Sequence, residues 1–110
     1  MKLNTILLII VCVLFIGMSI PLMFEKIEPN PIYGFRVSKT MRDKVIWYKA
    51  NKFLGYAMGI AAILSLLCLA LKLIYPGLIP LFQKTYYDIT VFMLPLIISI
   101  IISSIYVFKL

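Results

Sequence analysis

Along the 110 residues, charged positions are absent from three long stretches and crowded between the first two. Leu3 to Phe24 runs 22 residues without a formal charge, Phe53 to Leu71 runs 19, and Ile89 to Phe108 runs 20. A helix rises about 1.5 Å per residue, so about 20 apolar residues cross a hydrocarbon core about 30 Å thick. Each run meets that length, which buried helices of soluble domains rarely reach. The pattern predicts an all-α integral membrane protein with three transmembrane helices, at about residues 4–24, 53–75 and 88–108. A basic loop over residues 25–52 joins the first two. Three spans and this loop use nearly the whole chain, so residues 1–110 read as a single membrane domain.

Breakers and caps refine the elements. Pro21, with Gly17 and Ser19 nearby, kinks or ends the first span. Pro76-Gly77 ends the second, and Pro80 keeps the following connection irregular. Lys72 is expected to snorkel toward water at the end of span two, and Asp88 to cap span three. Within the loop, Pro29 and Pro31 bracket Asn30 and disfavour helix, while Gly34 is able to take positive φ. From Ser38 the pattern turns helical. Ser38 or Thr40 is suited to capping, with Asp43 three residues after Thr40 in the capping-box position. Met41, Val45 and Tyr48 then recur at helical spacing, which predicts a short interfacial helix in the first loop that leads into span two.

Charge adds an orientation. Seven of the eleven Lys and Arg residues lie between Glu25 and Lys52, and the net charge is +7. These residues flank spans and belong to no recognition module, so the partner they imply is the lipid bilayer and not nucleic acid. With the loop in the cytoplasm, its seven basic residues and Lys109 lie inside, and Lys2, Lys72 and Lys84 outside. The expected topology places the N-terminus outside, with the motif loop and the C-terminus cytoplasmic. The first run exceeds a signal-peptide core and lacks a small-x-small cleavage site before Glu25, so it is read as a retained span.

Candidate chemistry is sparse. The chain has no His and four acids, Glu25, Glu28, Asp43 and Asp88, and both cysteines, Cys12 and Cys68, fall inside apolar runs. That composition points away from an enzyme, a metal site, a cofactor or a disulfide framework. No charge lies near the middle of a span, which argues against a coupled transporter. Gly55 and Gly59 form a small-xxx-small pair, and Ala57, Ala61 and Ser65 form a second series at the same spacing. Such faces serve helix packing, either between spans of one chain or in a homo-oligomer. Ser99 and Ser103, one turn apart on span three, read as packing residues.

The loop carries the specific signal. Asn30-Pro31-Ile32-Tyr33-Gly34-Phe35-Arg36, then Thr40, then Trp47-Tyr48-Lys49-Ala50-Asn51 resembles the signature of the SdpI family of bacterial membrane proteins. In six-span members this signature lies between the fourth and fifth spans. The chain therefore resembles the C-terminal half alone, as in short, three-span YfhL-like members. The resemblance implies a plasma-membrane immunity protein that confers resistance to a secreted, membrane-active peptide toxin of the SDP type. The alternative it implies is a signalling or scaffold protein whose basic loop sequesters a cytoplasmic transcriptional regulator. Carried over by position, it singles out Asn30, Tyr33, Gly34, Arg36, Thr40, Trp47, Ala50 and Asn51.

Each of these residues also has a plainer reading. The Arg36 fork suits a partner's carboxylate or phosphate, a lipid phosphate, or a pairing with Glu25 or Glu28. Trp47 suits an interfacial belt as well as a recognition surface. Asn51 is placed either to bond the Pro-rich turn or simply to begin a span.

Overall fold

The computed structural model describes residues 2–84 and 86–110. Its elements are α1 (Lys2–Met23), α2 (Ser38–Arg42), α3 (Lys44–Ile74), a 3₁₀ turn (Pro80–Gln83) and α4 (Tyr87–Lys109), with no strand among the described residues. Helices α1, α3 and α4 are each long and apolar enough to cross a membrane. The chain is an all-α, multi-pass membrane protein. The 31 residues of α3 span about 46 Å at 1.5 Å each, well beyond a hydrocarbon core of about 30 Å. Its excess lies at the N-terminal end, Lys44 to Lys52, where the polar and aromatic residues collect.

Helix α3 lies between α1 and α4, which barely touch each other. Many of the buried positions are small or polar, beside a few large ones such as Trp47, Leu69 and Phe92. Thr5, Cys12 and Ser19 recur at every seventh residue of α1, and Gly55, Gly59, Ala62 and Ser65 line the interior of α3. Many large aliphatic side chains point outward instead, with Leu14, Ile60, Leu67 and Ile100 each more than half exposed. This inversion suits a hydrocarbon solvent. Lipid tails are as apolar as leucine, so helices associate through close backbone approach and interhelical hydrogen bonds. A Cβ at Gly55 would stand 2.9 Å from the Met23 nitrogen and the Ser19 carbonyl oxygen, and one at Gly59 would stand 2.9 Å from Ser19 Oγ. The Gly55/Gly59 face therefore lies directly on α1. Ser65 serves the other neighbour: its hydroxyl donates to the Val91 carbonyl at 2.7 Å. Pro95, inside α4, has no N–H to give that same carbonyl four residues earlier. A side chain from α3 thus replaces the missing donor of α4.

The helix ends depart from expectation in three places. Neither Ser38 nor Thr40 caps; α2 begins after Val37, and Thr40 lies inside it with Oγ1 accepting the Val37 N–H at 3.0 Å. Asp43 is extended, at φ −139°, and interrupts the helical run. Its Oδ1 then caps α3, accepting from the Val45 N–H at 2.8 Å. At the opposite end, Asp88 does not cap α4 and Lys72 does not snorkel. They pair with each other at 2.6 Å, each side chain only 13% exposed, and the Thr5 hydroxyl donates to the second carboxylate oxygen. Near hydrocarbon, two opposite charges in contact are far less costly than either alone. The Lys2 side chain, counted among the outer charges, lies outside the described residues.

Candidate functional site

The loop between α1 and α3 folds into a hydrogen-bonded knot over one end of the bundle. It starts at a Schellman turn: the Lys26 N–H donates to Pro21 O at 2.9 Å and the Glu25 N–H to Leu22 O at 3.2 Å. Glu25 takes the left-handed position there, at φ 56°. The chain thereby reverses within two residues of α1 and returns across the start of α3.

Asn30 shapes the Pro-rich turn. Its Oδ1 accepts from the Ile32 N–H at 2.9 Å and the Tyr33 N–H at 2.7 Å, and its Nδ2 donates to Glu28 O at 2.8 Å and Tyr33 O at 3.0 Å. The amide therefore uses both ends to replace backbone partners that the two prolines disfavour. Tyr33, fixed by that turn, donates its hydroxyl to the Met18 carbonyl of α1. Burial pushes its phenol above the ordinary value of 10.0. The phenol is a neutral donor at neutral pH, and the upward shift moves loss of the contact further into alkali.

Asn51 and Trp47 hold the other side. Asn51 Oδ1 accepts the Phe35 N–H at 2.6 Å, and its Nδ2 donates to Trp47 O, one turn back on α3, at 2.9 Å. Trp47 is wholly buried, and its indole N–H donates to Ile27 O at 2.8 Å. Gly34 sits against both at φ 114°, where a Cβ would stand 2.6 Å from Asn51 Oδ1 and 2.9 Å from Trp47 Cη2. Only glycine fits there. Thr40 completes the knot, donating to Phe35 O at 2.8 Å. Ala50 is fully buried, facing the same interior as Trp47 and Asn51.

Six of the eight singled-out residues, Asn30, Tyr33, Gly34, Thr40, Trp47 and Asn51, thus converge on one interlocked structure, with Ala50 buried beside them. Arg36 does not join it. Its side chain is exposed and makes no ion pair or hydrogen bond among the described residues, with Glu25 and Glu28 both exposed as well. The knot accordingly presents a free guanidinium, able to take a carboxylate or phosphate through two parallel hydrogen bonds. The small-residue series on α3 lies apart from this site. Gly55 and Gly59 abut α1, Ser65 meets α4, and Ala57 and Ala61 line a groove beside α4.

Sequence reasoning passed over the Thr5–Lys72–Asp88 cluster. Its signal was present: one cation and one anion, each alone on an otherwise apolar run, at the same end of successive spans. The backbone acceptors at Met18 and Ile27 had no comparable signal, since every residue carries a carbonyl.

Comparison with curated proteins and with solved structures found no match to this chain. A family model, that of the SdpI/YfhL protein family, matches residues 26–107, about three quarters of the chain, from the last residue of the Schellman turn nearly to the end of α4. On that match, together with the loop signature and three spans, the chain belongs to the SdpI/YfhL protein family.

Proposed function

We propose that this protein is a small bacterial immunity protein of the plasma membrane, conferring resistance to a secreted, membrane-active peptide toxin of the SDP type. Family membership supports the reading. The observation that carries it is Arg36: a glycine-dependent knot holds Asn30, Tyr33, Thr40, Trp47 and Asn51 and leaves this guanidinium exposed, with no ion pair or hydrogen bond among the described residues. An anionic group of the toxin, or of the toxin's target, is its natural complement. The protein acts by binding, with the loop and C-terminus cytoplasmic and the N-terminus outside.

Toxin challenge of a sensitive strain, with and without this chain, tests the proposal. Expression should raise survival, and identical killing curves would remove the immunity reading. Arg36→Ala should abolish protection while membrane level and melting temperature stay at wild-type values; full protection by that variant would free Arg36 of any role. Reporter fusions at Gly77 and Lys109 should report opposite sides of the membrane, and a signal from one side only would overturn the topology.

The regulator-sequestering alternative relies on Lys39, Arg42 and Lys44. Two of these already hold contacts within the chain, Lys39 Nζ to Phe108 O at 3.3 Å and Arg42 Nε to Ser38 O at 3.2 Å. Immunity is therefore the favoured reading.

A further inference from the structure

Helices α3 and α4 do not close against each other along their whole length. Between them lies a groove of ≈ 450 Å³, lined by Phe53, Ala57 and Leu64 of α3 and by Leu94, Ile98 and Ile102 of α4. Alanines at 57 and 61 form its floor on α3, and Pro95 stands on its α4 side. The one hydroxyl buried in its wall, Ser99 Oγ, donates back to Leu96 O at 2.7 Å and has its proton occupied. The lining therefore asks for an apolar occupant.

Its length says where that occupant comes from. Phe53 to Leu64 is about 16 Å at 1.5 Å per residue, close to the half-thickness of about 15 Å of one leaflet. Phe53 lies at the loop end, stacked on Tyr106 with ring centroids 4.3 Å apart, so the groove runs from the loop-side surface to about the bilayer centre. Its lining says what the occupant is. Apart from the hydroxyls of Tyr56 and Ser99, every lining side chain is hydrocarbon, and the groove lies open along its side, so a flexible acyl chain can follow its contour.

Charge selects the headgroup. Lys52 stands one turn before Tyr56, a groove residue, and Lys49 one turn before Phe53. Lys109 stands two turns beyond Ile102 on α4. All three are exposed, and none forms an ion pair among the described residues. The groove thus opens, at its surface end, beneath three unpaired cations. We propose that this groove holds one acyl chain of an anionic phospholipid from the loop-side leaflet, with its phosphate met by Lys49, Lys52 and Lys109. A lipid seated there fills the gap between α3 and α4 that the chain itself leaves open. The inference is independent of the immunity reading.

The test uses the full chain in vesicles of phosphatidylcholine with a minority of phosphatidylglycerol, some of it carrying a photoreactive acyl chain. Irradiation should place adducts on groove residues such as Ile60 and Ile98, and native mass spectrometry should find one retained phosphatidylglycerol per chain. Lys52→Gln with Lys109→Gln should weaken that retention about 25-fold, at about fivefold for each basic residue. Ala57→Phe, which fills the groove, should lose the lipid, while Leu67→Phe, on an exposed face away from it, should keep it. Adducts spread evenly over the outward faces, or retention in proportion to the vesicle mixture, would overturn the proposal. So would a dimer that Ala57→Phe dissociates, since a second copy would then be the occupant.

Discussion

At the scale of single residues, the loop depends on side chains that stand in for backbone. Asn30 and Asn51 supply donors and acceptors where Pro29, Pro31 and the reversal at Glu25 leave the main chain without regular partners. Gly34 is the residue with least latitude, because its positive φ and its contact with Asn51 and Trp47 both exclude a Cβ. Gly34→Ala is expected to destabilise the protein by about 2–3 kcal/mol, combining left-handed strain with overpacking. Thermal unfolding in a bilayer mimetic would measure it, and an unchanged melting temperature would contradict the geometry. Arg36→Ala should behave in the opposite way, leaving stability untouched and removing protection.

At the scale of elements, the central contact is the exchange between Pro95 and Ser65. The proline deprives the Val91 carbonyl of its helical donor, and the serine hydroxyl of α3 replaces it at 2.7 Å. Ser65→Ala should therefore cost about 1 kcal/mol, within the range of interhelical hydrogen bonds in membranes. Pro95→Ala restores an N–H within α4, so in that background Ser65→Ala should cost less. A double-mutant cycle measures the difference, and strict additivity would show that the two residues do not share this carbonyl.

At the scale of the whole molecule, two polar fastenings sit at opposite ends of a body 50 Å long. The loop knot ties α1 to α3 at one end through Tyr33 and Trp47. At the other, Thr5, Lys72 and Asp88 join one residue from each long helix, and Lys72 Nζ also lies 5.8 Å from the centre of the Tyr87 ring. This second cluster bridges α1 to α4, which otherwise touch little. Asp88→Asn alone should cost about 3 kcal/mol by leaving the ammonium unpaired in a mostly buried site. Lys72→Met combined with Asp88→Leu should cost less than that single change. If the double variant unfolded at a lower temperature than the single one, the pair would be a net source of stability and not a mutual neutralisation.

Much of the architecture was legible along the chain. The three spans, the short helix in the first loop and the family signature follow from residue order, because hydropathy and helix length are properties of contiguous segments. The extension of α3 back to Lys44 was less visible, since the capping aspartate at 43 also fits a continuous helix on spacing alone. Which polar residues are structural and which are free was decided only by the fold. Asn51 meets Phe35, Tyr33 meets Met18, and Lys72 meets Asp88 across long separations. A hydrogen bond or ion pair depends on where the chain returns in space, and neither residue type nor spacing records that return. Arg36 stands out for the same reason: the knot satisfies its neighbours from within and turns that guanidinium outward.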